Sequence, residues 1–92
     1  MRSIIQTGGE SCFICHQAIG TEWHHIFSGP NRKWSEADGL KIRVCRNCHE
    51  AIHCGKHSGD LQKCLHKFGQ VKWESTYGTR EQFMKRYGRN WL

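Results

Sequence analysis

No stretch of this 92-residue chain is apolar for the roughly 20 residues that crossing a bilayer takes. Nor does its N-terminus join a basic start to an apolar run and a small-residue cleavage site, the pattern of a secretory leader. Both absences lead us to expect a cytoplasmic, intracellular protein with no membrane partner. Internal repeats and low-complexity tracts are missing too, which sets aside repeat arrays and biased linkers. Hydrophobic residues are scarce, at 37% of the chain. A chain this short buries only about 60–65% of the surface it exposes when unfolded, so its core calls for a staple. Acidic residues are outnumbered: 8 Asp and Glu stand against 14 Lys and Arg, a formal charge of +6. That balance favours a polyanionic partner such as nucleic acid.

Cysteine and histidine are abundant, at 6 and 7 residues, and they are the candidate staples. In a reducing compartment, cysteine clusters are more often metal ligands than disulfides. The length suits one domain. Thr7-Gly8-Gly9-Glu10 ends a stretch without periodicity, read as a flexible arm over residues 1–10, and residues 11–92 form the domain.

Glu22 to Phe27 reads as a short strand, followed by the turn-rich Ser28-Gly29-Pro30-Asn31. Leu40-Lys41-Ile42-Arg43-Val44 alternates apolar and basic residues, the mark of a half-buried strand. A helix follows from Cys48 to about His53, ending at Gly55. Leu61, Cys64, Leu65 and Phe68 fall on one helical stripe that Gly69 is expected to stop. Val71 to Tyr77 suits another short helix. Thr79-Arg80-Glu81-Gln82 has the form of a capping box opening a last helix. The fold class is therefore α+β, with a β-hairpin, a metal-bearing helix and additional C-terminal helices.

Cys12-Phe13-Ile14-Cys15 and Cys45-Arg46-Asn47-Cys48 are two CxxC turns. Each sets two thiolates along one edge of a tetrahedron, and together they complete a closed four-cysteine zinc site. Cys54 and Cys64 have no partner at ligand spacing, and Cys64, on the apolar stripe, reads as an ordinary buried thiol. His49 and His53 stand four apart on the helix and project from one face, a spacing at which two imidazoles grip one metal ion. His24 and His25 form a second pair on the preceding strand.

In combination, Cys12-x-x-Cys15, the strand Trp23-His24-His25-Ile26 and Cys45-x-x-Cys48-His49-x-x-x-His53 resemble the HNH, or ββα-metal (His-Me finger), endonuclease family. The likeness is to its small zinc-stabilised form, carried by phages and mobile elements, and it covers residues 12–53. It implies a ββα-metal core over residues 12–57; the helical extension over 58–92 lies outside the resemblance and is read from periodicity. It implies a structural Zn²⁺ on the four cysteines and a catalytic divalent metal, Mg²⁺, Mn²⁺, Ni²⁺ or Zn²⁺, on His24, His49 and His53. His25 takes the place of the general base that activates water. The implied reaction is hydrolysis of DNA phosphodiester bonds, as a nick, with phage or mobile-element proteins as further partners. One family feature is missing: where an Asn opens the second strand, this chain has Asp38-Gly39-Leu40. Asn31 and Asp38 are both candidates to replace it.

Asn31, Arg32 and Lys33, in the loop after His25, and Lys41 and Arg43, on the second strand, are the expected nucleic-acid contacts, with Lys85, Arg86 and Arg89 extending the charge. Trp34 is read as folding back onto the core. Two other functions compete. One is a catalytically inactive, zinc-stabilised nucleic-acid-binding module. The other is a zinc protease, because His49-Glu50-Ala51-Ile52-His53 fits HExxH. The extended protease motif wants Gly and His where Lys56 and Gly59 stand, and this reading leaves His24, His25 and both CxxC pairs without a role.

Overall fold

In the computed structural model, which describes every residue except Met1, Thr7 and Ile19, the alternating segment becomes the second strand of a two-stranded antiparallel sheet. Strand β1 spans Thr21–His25 and β2 spans Lys41–Cys45, in a register that sets Trp23 opposite Arg43, His24 opposite Ile42, and His25 opposite Lys41. Side chains alternate between faces, so Glu22 and His24 share one face with Ile42 and Val44. Thr21, Trp23 and His25 share the other with Lys41 and Arg43. Ile42, Val44 and Leu40 are fully buried.

The connection between the strands is not a plain loop. A 3₁₀ turn over Gly29–Asn31 leads into helix α1, Arg32–Asp38. Trp34 is its only large apolar residue, so no stripe betrays it in the sequence. Gly39 ends it in the left-handed region at φ 74°. A Cβ there would also collide with the Arg2 carbonyl, because the N-terminal segment runs close by. Within that segment Ser3 is buried with its hydroxyl on the Lys41 carbonyl at 2.6 Å, and Gln6 accepts from the Arg43 amide at 2.8 Å. Both bonds satisfy backbone groups on the outer edge of β2.

Helix α2, Arg46–Cys54, begins directly at β2, with the Cys45 sulfur capping the Cys48 amide. Helix α3, Ser58–Thr76, is one continuous rod and not two pieces. Gly69 lies inside it because the chain leaving β1 crosses there: a Cβ would come within 2.6 Å of the Ile26 side chain and 3.2 Å of Phe27. The buried stripe accordingly runs through Leu65, Gly69 and Trp73, which leaves Cys64 exposed and corrects its reading as a core thiol. Helix α4, Arg80–Tyr87, opens with the expected capping box: Thr79 Oγ1 accepts from the Gln82 amide, and Gln82 Oε1 from the Thr79 amide. Phe27 packs among Phe83, Tyr87 and Trp91 at ring separations of 5.7, 4.8 and 4.6 Å, so the C-terminal elements complete the core behind the sheet.

Buried Asp38 joins these layers. Its carboxylate accepts from Trp73 Nε1, Tyr87 Oη and both Arg86 Nε and Nη2, at 2.7–2.9 Å. A carboxylate bonded this fully recovers its desolvation cost. No helix among the described residues is long and apolar enough to cross a membrane.

Candidate metal centres

Cys12, Cys15, Cys45 and Cys48 are gathered with all four sulfurs within 4.8 Å of one another. The Cys15 and Cys45 sulfurs lie 3.6 Å apart, close to the roughly 3.8 Å that bonds of about 2.3 Å impose on a tetrahedral zinc site. Each knuckle points an amide at its first sulfur, Cys15 to Cys12 and Cys48 to Cys45, at 3.5 and 3.4 Å. Burial would raise the Cys12 thiol, yet backbone hydrogen bonds at Cys15, Cys45 and Ile14 outweigh it and bring Cys12 down to about 6. Burial and three neighbouring sulfurs push the Cys48 thiol up. Four sulfurs so close cannot all ionise without a cation among them, and the amides already favour thiolate. The donor set fits a closed structural metal site.

His24, His49 and His53 form a second cluster, their ligand nitrogens also within 4.8 Å of one another. His24 comes from the α2-facing side of β1 and is buried. His49 is half-buried, and His53 is exposed. The rings meet edge-on or tilted, His24 to His49 at 5.3 Å and His24 to His53 at 5.2 Å. Burial first, and then the neighbouring imidazoles, lower His24 to about 4, so it is neutral at physiological pH, as a ligand must be. Glu22, two residues before His24 on the same face, binds His49 Nδ1 and is itself held below its usual range by that imidazole. A carboxylate on a ring nitrogen orients a histidine ligand and leaves the opposite nitrogen for the metal. Sequence reasoning missed Glu22, although its spacing of two from His24 was the available signal. The cluster opens on a groove of about 190 Å³ lined by Glu22, Arg46, His49, Glu50 and His53.

His25 points the other way, as strand alternation requires. It is outside the triad and instead puts Nε2 3.3 Å from Glu36 Oε1. Neither candidate for the missing Asn reaches it by a hydrogen bond. Asn31 donates to the Tyr87 carbonyl at 2.9 Å, and the Asp38 carboxylate is committed to Trp73, Tyr87 and Arg86. The strand ends are tied by Ser35, whose hydroxyl accepts from the Phe27 amide and donates to the Leu40 carbonyl, at 3.2 and 2.5 Å.

Of the expected nucleic-acid contacts, Arg32 and Lys33 are exposed at the start of α1. Lys41 is buried and donates to Glu36 Oε2 at 2.6 Å, which with His25 lowers Glu36 to about 2. Arg43 and Lys41 lie over the Trp23 ring, 4.5 and 4.9 Å from its centre. Trp34 packs half-buried against the core with Arg86 over its ring at 4.3 Å. No family model, curated protein or solved structure matches the chain.

Proposed function

We propose that this protein is a zinc-stabilised, metal-dependent endonuclease of the HNH type that nicks DNA by hydrolysing a phosphodiester bond. The observation that carries this reading is the triad: three imidazoles from β1 and α2 converge beside the four-cysteine cluster, one of them buried and neutral. Three protein donors leave coordination positions open, unlike the closed sulfur set. A divalent cation held by His24, His49 and His53 (Mg²⁺, Mn²⁺, Ni²⁺ or Zn²⁺) would supply Lewis-acid polarisation of a phosphate oxygen. The four cysteines, with a structural Zn²⁺, hold β2 and the first turn of α2 to the N-terminal knuckle. That fixes His49 against His24. Glu22 orients His49. With the metal and the attacking water on either side of the end of β1, His25 accepts the water's proton, and Arg32, Lys33 and Arg46 contact the phosphate backbone.

One observation favours a second reading. His25 lies across the sheet from the triad, and the chain lacks the family's Asn, as an inactive DNA-binding module would. The experiment is incubation of pure, zinc-loaded protein with supercoiled plasmid in Mg²⁺, Mn²⁺, Ni²⁺ and Zn²⁺. Relaxed or linear product supports the nuclease. Retardation without cleavage supports the binding module. Cleavage of casein with intact plasmid points to the HExxH protease, for which a groove of about 190 Å³ is small.

A further inference from the structure

We propose that Glu36 is the positioning residue for His25; the kinetic part of this inference rests on the nuclease reading above. Glu36 stands on α1, one residue after Ser35, whose two hydrogen bonds pin that helix to both strand ends. One carboxylate oxygen faces His25 Nε2 at 3.3 Å, and the other accepts from Lys41 at 2.6 Å. Lys41 is the cross-strand partner of His25, and its side chain is 9% exposed. A buried ammonium keeps its partner ionised, and an ionised carboxylate only accepts hydrogen bonds. In a neutral His25 the proton must therefore sit on Nε2, which leaves the lone pair on Nδ1. Glu36 thereby sets the tautomer and the ring orientation of His25. No proton passes to Glu36. Asp38 and Asn31 cannot serve, since both are held by α4.

The test combines a spectroscopic and a kinetic measurement on zinc-loaded protein. In ¹H–¹⁵N spectra the His25 Nε2–H should be protected from water exchange in wild type, retained in Glu36→Gln, and lost in Glu36→Ala. In plasmid nicking, Glu36→Ala should lower kcat by about 10–100-fold with KM and metal affinity unchanged. Glu36→Gln, which keeps an acceptor, should recover much of that loss and guards against misfolding of the alanine variant. In a His25→Ala background, Glu36→Gln and Glu36→Ala should cause no further loss, because the effect passes through His25. A proton found on Nδ1, or an equal loss of cleavage in the His25→Ala background, overturns the assignment. Wild-type protein that cleaves nothing in any metal defeats the nuclease reading and the positioning role with it, and a protected Nε2–H then marks a purely structural pair.

Discussion

Two adjacent imidazoles on β1 have been given different environments by strand alternation. His24 faces α2, buried and held neutral by desolvation; His25 faces Glu36. His24→Ala should therefore lower both metal affinity at the triad and cleavage. His25→Ala should leave metal and DNA binding near wild type and slow cleavage by about 10²–10⁴-fold, the usual worth of a positioned base. Titration calorimetry with Mn²⁺ beside the nicking assay separates the two. His66, which shares a small pocket with His24 and His53 but stands outside the triad, offers a pH test. Its ring stacks on Phe27 at 5.2 Å, and burial first, then the charge of Arg89, lower it from the ordinary 6.5. A depressed histidine lets the unfolded chain bind the proton first, so its stabilisation is present above 6.5 and lost as pH falls below it. His66→Gln should flatten the slope of stability against pH on the acid side of 6.5, measured by urea melts on zinc-loaded protein. An unchanged slope would mean that His66 protonates freely in the fold.

At the scale of elements, glycines separate what was legible from what was not. Gly69 looks like a helix stop, yet it is a packing contact inside α3. Gly69→Ala should cost about 1–3 kcal/mol through overpacking against Ile26 and Phe27. Gly59→Ala, with nothing within 4 Å, should instead stabilise by up to about 1 kcal/mol from helix propensity. Denaturant unfolding of the two variants checks the opposed signs. The two strands, α2 and the capping box of α4 were readable because each rests on a local signal: alternation, a knuckle at the helix start, a Thr–Gln pair. Helix α1, the continuity of α3 and the docking of residues 2–6 were not, because each depends on a distant partner. Gly39 makes room for Arg2, Gly69 for Ile26, and Ser3 reaches Lys41. The same divide runs through the candidate site. CxxC and i, i+4 spacing announced both clusters, whereas Glu22 and Glu36 became visible only once the register and α1 were known. Trp34 met its expectation of folding inward, while Lys41 turned out buried and paired.

For the molecule as a whole, the sulfur cluster ties together the N-terminal knuckle, β2 and α2, in a chain with little other core. A structural metal contributes on the order of 10 kcal/mol, comparable to the entire stability of a small domain. Cys45→Ser should thus give unfolded or insoluble protein. Cys64→Ala, at an exposed site, should change stability by no more than about 0.5 kcal/mol. Circular dichroism and zinc content by mass spectrometry decide both, and stoichiometric disulfides with no bound zinc in anaerobically purified protein would refute the metal clamp. The two clusters are separate, so one can be disabled while the other still holds the fold. His53 is exposed and contributes nothing to the hydrophobic core. The most direct check of the nuclease is the initial rate of supercoiled-plasmid relaxation by wild type and His53→Ala, purified alike and supplied with Mn²⁺ or Ni²⁺. Wild type should relax the plasmid, while His53→Ala should remain folded with one zinc per chain and cleave at background. Equal rates in the two proteins would assign the activity to a contaminant, and a wild type that leaves plasmid supercoiled in every metal would remove catalysis from the triad.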